Sequence, residues 1–336
     1  MTGRVVPNGM ARRRIGGILS EAALAGKRVI KVADSIVNLA VLIAVILLIV
    51  IGSYALWDSR QVYQTADSTR YAVYKPTDEN GGLSFAELQE INPDVCAWLE
   101  VYGTHIDYPV VQGKENMTYV NRNAEGKYSQ SGAIFLDKYC SRDFSDFSSI
   151  LYGHHMEKHA MFGEIGLFKN KDYFEARRYG MLYYGGQEHG LEFFAFLHAD
   201  AYDTAVFKTH ITERKQQQAY IDMIFDRARH TRDINITPDE KIVLLSTCST
   251  DSTNGRDILV GRITDEVFAN PFNTEDGSRN GELIVNCLDG LVGNPWCLGI
   301  LGLLLICLIA LILLATLKKR RYRNTQEETN NEGDMV

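Results

Sequence analysis

A cysteine that closes one apolar run and an arginine that opens the next are the residues of this chain best placed to do chemistry. The stretch from Leu244 to Ile263 reads LLSTCSTDSTNGRDILVGRI, with Cys248 at the end of the first run and Arg256 at the start of the second. A cysteine attacks as its thiolate, and an unassisted thiol with a pKa near about 8.5 is only slightly ionised at neutral pH, so a nucleophilic cysteine needs a cation or a base beside it. The loop STDSTNG supplies Asp251 but no Lys or His. If the two runs are neighbouring strands joined by that loop, with Asn254-Gly255 as its turn chemistry, Cys248 and Arg256 meet at one rim. On that pair alone a buried structural thiol beside a solvated arginine is the more ordinary reading, because free cysteine is among the most buried residue types.

The histidines shift that balance. His154 and His155, in ILYGHHMEKHAMFGEIG, follow an apolar run and a glycine, where a side chain projects from a strand end. His155, Glu157 and His159 lack both the H-E-x-x-H order and a third ligand close by, so no metal site is expected there. His105, His189, His198, His210 and His230 are scattered and read as structural or solvated. No G-x-S-x-G occurs, which leaves serine-hydrolase chemistry without support. Ser246 lies two residues before Cys248 and by strand alternation shares its face.

The elements that must hold these residues are short. IDYPVVQ, SGAIFLD, SSILYGH, RRYGMLYYGG, LEFFAFLHADAY, KIVLLSTC and RDILVGRI are β-branched and aromatic runs parted by Gly, Asn, Asp and Ser, the pattern of a barrel or sandwich. Before them, Ser84 and Glu87 stand in capping-box spacing and predict a helix start. Between them, residues 212–230 place Tyr220, Met223, Ile224 and Ala228 at helical spacing, so the expected fold is a β-barrel with a helical insertion before its last strands.

Two further segments are apolar enough to cross a bilayer, residues 36–57 and 297–317. Basic residues precede the first (Arg4, Arg12, Arg13, Arg14, Lys27, Arg28, Lys31) and follow the second (Lys318, Lys319, Arg320, Arg321, Arg323). Both termini are therefore expected in the cytoplasm and the domain between them outside. Some 35 residues ahead of the first span, and its length, favour an uncleaved anchor over a signal peptide, although Ser53 and Ala55 form a small-x-small pair. The net charge of −7 is uneven: seven basic and two acidic residues in 1–35, and five and four in 318–336, leave −13 on 36–317. That acidity disfavours nucleic acid as a partner. Six cysteines show no CxxC spacing, and only Cys96, Cys140 and Cys248 lie well inside the outer domain, so neither a disulfide framework nor a Cys96–Cys140 bridge is expected.

LLSTC followed by an arginine opening an apolar strand, with YGHHM upstream, resembles the sortases, membrane-anchored cysteine transpeptidases of Gram-positive bacteria. INPDVCAWLEVYGTHIDYPVVQG, the segment YGHHM to MFGEIGLF, Ser246 of STC and the helix before the last strands are similar to class B in particular, over residues 84–263. The resemblance implies a closed sortase barrel of about eight strands with an N-terminal helix, here flanked by two transmembrane helices. It places the catalytic histidine on His154, the nucleophile on Cys248 and the arginine on Arg256; His155 is not carried over. Leu245 stands where threonine is more usual, at a strand position that tolerates the change. The second span is unusual for class B and is similar to the pilin-polymerising class C, yet the aromatic Asp-Pro lid of that class is not evident before Ser84.

The expected organisation is a basic cytoplasmic N-terminus (1–35), a span (36–57), an extracellular stalk (58–83), the catalytic barrel (84–270), a linker (271–296), a second span (297–317) and a cytoplasmic tail (318–336). The resemblance implies that Cys248 cleaves an LPxTG-like sorting signal of a secreted protein through a thioester, with no cofactor; Ser246, on the same face, is expected either to hydrogen-bond substrate or to bond a neighbour within the sheet. The acceptor is an amine of the peptidoglycan precursor or, as the alternative, a pilin lysine. A catalytically silent, doubly anchored scaffold on the same barrel is the reading from another class, and intact His154, Cys248 and Arg256 argue against it.

Overall fold

The computed structural model describes residues 9–76 and 83–272. The expected second span (297–317), the tail (318–336) and the linker beyond Phe272 lie outside the described residues. Backbone contacts divide the chain into two units, with 9–58 in one and 59–272 in the other. In the first, helix α1 (Gly9–Ala66) carries Ile36, Leu48 and Ile51 at 62 %, 70 % and 62 % exposure, so it is not a core helix. It is long and apolar enough to cross a membrane.

The second unit is a barrel. Its strands are β1 (Val95–Val101), β2 (Asp107–Val111), β3 (Ile134–Leu136), β4 (Ser148–Tyr152), β5 (Tyr179–Tyr184), β6 (Gln187–Asp200), β7 (Ala228–Thr231), β8 (Lys241–Cys248) and β9 (Gly255–Thr264). They pair in the order β5-β1-β2-β3-β4-β8-β9-β6, and β5 also pairs with β6, so eight strands close on themselves while β7 is added to β6. Closure pairs each of these strands on both sides, and β6 runs on past β5 to leave the edge that β7 takes. The β2–β3 and β4–β8 joins are parallel and the others antiparallel. The β5–β6 hairpin turns on Gly185-Gly186, both at positive φ, the demand of a two-residue type I′ loop.

Helix α2 (Leu83–Ile91) precedes the barrel and buries Phe85 and Leu88, three residues apart on one face. Ser84 lies one residue inside its described start. Asn92 follows its end, and its side-chain amide donates to the Ala124 carbonyl at 2.8 Å, tying the helix to the next loop. Residues 66–74, read from sequence as stalk, pack within this unit: Ala66 and Tyr71 are buried, and the Tyr108 hydroxyl donates to the Ala66 carbonyl at 2.7 Å.

Strands β8 and β9 are buried on both faces, which is why their sequences run apolar without alternating. Val243, Leu245, Leu259 and Ile263 join the larger core shared with β1, β2 and α2. Ile242, Leu244, Ile258 and Val260 face the other way, into a second core covered by Tyr220, Ile221 and Ile224 of helix α4 (Arg214–Arg227). The remaining helix, α3 (Lys171–Ala176), is a short piece ahead of β5. The insertion is thus helical as expected, but it stops at Arg227, and Ala228–Thr231 form β7.

Leu245 sits between its register partners Leu151 of β4 and Leu259 of β9, all fully buried, directly before the strand end that carries Ser246 to Cys248. Leu245→Ala should destabilise the full chain by about 2–5 kcal/mol in denaturant unfolding. A loss under about 0.5 kcal/mol, the scale of surface substitutions, would show that this layer is not packed as described.

Candidate active site

The antiparallel register of β8 with β9 pairs Ser246 with Ile258, Thr247 with Asp257 and Cys248 with Arg256. The connecting loop folds back tightly, the Ser249 amide donating to the Gly255 carbonyl at 2.8 Å. At Gly255 a Cβ would come within 2.2 Å of Ser252 Oγ and 2.6 Å of His198 Cε1, so any side chain there would have to displace both. Cys248 is free and exposed, whereas Cys96 and Cys140 are free and buried.

A third segment reaches the same rim from β4. The parallel register pairs Tyr152 with Ser246, and the pairing continues past the strand end. The Gly153 amide donates to the Ser246 carbonyl at 3.2 Å, and the Thr247 hydroxyl donates to the Gly153 carbonyl at 2.8 Å. His154 is the next residue, alongside the end of β8. A Cβ at Gly153 would meet Ile134 and Phe162 at 2.6 and 2.7 Å, so glycine is what allows this approach.

His154 Nε2 lies 2.9 Å from the Val120 carbonyl. A carbonyl only accepts, so in that contact Nε2 is the donor and Nδ1 is left facing away from Val120 without a hydrogen bond among the described residues. His155 differs: its Nδ1 is buried with no partner among the described residues, and its backbone bridges to Met161. Arg256 is half-buried, with Nη1 donating to the Gly255 carbonyl at 3.1 Å. Among the described residues no carboxylate forms a salt bridge with it, unlike Arg178 and Arg262, which share buried Glu192. Its remaining donors are therefore uncommitted.

The rim thus brings together an exposed thiol, an uncommitted guanidinium and an imidazole anchored through one nitrogen, a set suited to nucleophilic attack with charge stabilisation and proton transfer. Ser246 is placed differently from a simple groove contact. It is 1 % exposed, and its Oγ has no hydrogen-bond partner among the described residues.

Sequence reasoning missed the groups that brace this rim: the Thr247 hydroxyl, the Val120 carbonyl, and buried Asp257, whose Oδ1 lies 3.0 Å from His198 Nδ1. Thr247 and Asp257 adjoin Cys248 and Arg256 in the sequence, and that adjacency was the available signal. A cavity of about 260 Å³ lined by Lys169, Phe196, His198, Arg229, Asp251 and Asp257 contains none of the rim residues.

No family model matches the sequence. The chain is 27 % identical over 208 residues to the Sortase B of Listeria monocytogenes serovar 1/2a, a match spanning 61 % of this chain and 82 % of that protein. The X-ray structure of Clostridium perfringens Sortase B is 34 % identical, covering 54 % of this chain and 100 % of the other, with a TM-score of 0.52. A Streptococcus pyogenes class B sortase involved in pilus biogenesis is 38 % identical, covering 54 % of this chain and 98 % of the other, with a TM-score of 0.50.

Burial pushes the thiols of Cys96 and Cys140 up to about 12. At neutral pH both therefore stay protonated, and burial closes them to reagent. Native full-length protein treated with iodoacetamide should carry the label on Cys248, with Cys96 and Cys140 unmodified until denaturant is added, as read by peptide mass spectrometry. Labelling of either buried thiol at a rate near that of Cys248 would contradict this assignment of environments.

Proposed function

The chain belongs to the class B sortase family and is a cysteine transpeptidase; from that premise we propose that Cys248, His154 and Arg256 carry the reaction. The observation that supports this reading best is the joint register of β4, β8 and β9, which sets Cys248 opposite Arg256 and straps Gly153, just before His154, to Ser246 and Thr247. In the reaction proposed, Cys248 thiolate adds to the threonine carbonyl of an LPxTG-like sorting signal, and Arg256 donates to the resulting oxyanion. His154 gives a proton to the departing amine as the C–N bond breaks, leaving a thioester on Cys248. An incoming amine then loses a proton to His154, attacks the thioester and releases the thiolate, forming a new amide. The thioester conserves the energy of the cleaved amide, so the transfer needs no ATP.

Ser246 fits this reading as a substrate contact. A buried hydroxyl without a partner costs about 1–3 kcal/mol, and a peptide amide or carbonyl entering beside Cys248 would supply the missing bond. The segment between Ala205 and Thr237, with helix α4, is the proposed wall of the peptide-binding groove. The acceptor proposed is an amine of the peptidoglycan precursor. A second reading, transfer to a pilin lysine, draws support from the pilus-biogenesis role of the Streptococcus pyogenes relative. In both, spans at 36–57 and 297–317 hold the domain at the outer leaflet with both termini in the cytoplasm, where secreted substrate and lipid-linked acceptor meet.

Assays of the full chain with LPxTG-like peptides and an amine should find no product with Cys248→Ala, a loss of about 10²–10⁴ in rate with His154→Ala and about 10²–10³ with Arg256→Ala. His155→Ala should stay within about threefold of the parent, below the cost of a lost proton-transfer group. Turnover by Cys248→Ala, or equal losses at His154 and His155, would overturn the assignment.

A further inference from the structure

The segment between His154 and Glu164 is closed at its base and carries an unusual backbone at its tip. The Phe162 amide donates to the His154 carbonyl at 3.0 Å, His155 bridges to Met161, and the Met161 amide donates to the Tyr108 hydroxyl at 3.1 Å. Lys158, His159 and Met161 all have φ between 53° and 62°, the left-handed region that side-chain-bearing residues rarely occupy. Backbone of this kind persists where the surroundings hold it, and it turns His159 back toward the barrel.

There His159 meets Glu164, at the end of its own segment, and His105, which is distant in sequence. Its Nδ1 lies 3.3 Å from Oε1 of Glu164, and the same oxygen contacts Nδ1 of His105, on the turn between β1 and β2. The two imidazoles stack with centroids 5.3 Å apart and planes 20° from parallel. The Glu164 side chain is only 4 % exposed, while those of His105 and His159 are 70 % and 55 % exposed, so two open rings converge on one buried carboxylate. The carboxylate is held from behind: Tyr173 donates to Oε2 at 2.8 Å, and the His105 amide donates to Oε1 at 3.2 Å.

We propose that His105, His159 and Glu164 form a divalent transition-metal site of the zinc type, with solvent at the fourth position. Two imidazoles and a carboxylate are a donor set that zinc accepts in three-ligand sites. The ligand atoms all lie within 4.8 Å of one another. At bond lengths of about 2.0–2.2 Å, tetrahedral ligands stand about 3.3–3.5 Å apart, a spacing His159 Nδ1 and Glu164 Oε1 already have. The closer His105–Glu164 contact must open to that same spacing when the cation enters. Tyr173 then serves as the outer partner that orients a ligating carboxylate. The metal plays no part in bond breaking. It clamps the tip of the segment whose first residue is His154, and the site stands on geometry that does not depend on the proposed reaction.

The test uses the full chain bearing Cys248→Ala, so that the exposed thiol binds no metal, titrated with zinc chloride by calorimetry and with Co²⁺ by absorption spectroscopy. The parent should bind one zinc with micromolar or tighter affinity, and Co²⁺ should give visible bands of a four-coordinate N/O site without a thiolate charge-transfer band. His159→Ala and His105→Ala, both at exposed side chains whose loss leaves the core intact, should each weaken zinc binding at least tenfold. Hydrogen exchange across residues 154–163 should slow when zinc is added to the parent and not to His159→Ala. Absence of binding by the parent, unchanged affinity in both variants, or a thiolate–cobalt band would overturn the proposal.

Discussion

Strand β8 is zipped on one side to β4 in parallel and on the other to β9 in antiparallel, and the arrangement of the rim depends on that double pairing. The antiparallel side fixes Cys248 opposite Arg256. The parallel side sends the chain past Tyr152 while still bonded to Ser246 and Thr247, so His154 arrives beside the end of the same strand. A one-residue slip in either register would turn these side chains to the opposite face. What resists the slip is burial on both faces: the odd-numbered residues of β8 and β9 lock into one core and the even-numbered ones into another beneath α4. The precision of the site is therefore a packing property of a strand with no solvent face before its last residue.

The sequence made much of this legible because its signals there are local. A cysteine, a seven-residue polar loop with Asn-Gly, and an arginine opening an apolar run specify a strand connection whose ends face each other. Helix α4 was legible from 3.6-residue spacing. What escaped notice lacked a local signature. Strand β1 is buried on nearly every residue and shows no alternation. Strand β7, Ala-Arg-His-Thr, has no strand-like composition and exists because β6 offers it an edge. Residues 66–74 look like a solvated stalk because they are polar, yet Ala66 and Tyr71 find their apolar contacts in the barrel unit.

The site shows the same division. Residue spacing brought Cys248 and Arg256 together, but nothing within YGHH distinguishes two adjacent histidines; that needs the parallel β4–β8 join, a contact across some 90 residues. Alternation put Ser246 on the face of Cys248 and said nothing of depth, which is how a residue expected to touch substrate comes to be 1 % exposed. His159 was weighed as a metal ligand with its near neighbours His155 and Glu157. In the folded chain it stands instead with His105 and Glu164, one of them more than 50 residues away.

The central claim is that the transfer passes through an acyl group on Cys248, and trapping that species tests it most directly. Full-length protein mixed with an LPxTG-like peptide in the absence of amine, quenched in acid and analysed by intact and peptide mass spectrometry, should carry the N-terminal peptide fragment as a hydroxylamine-labile adduct on the peptide containing Cys248. Peptide cleavage with no adduct, or an adduct on any other residue, would contradict the account.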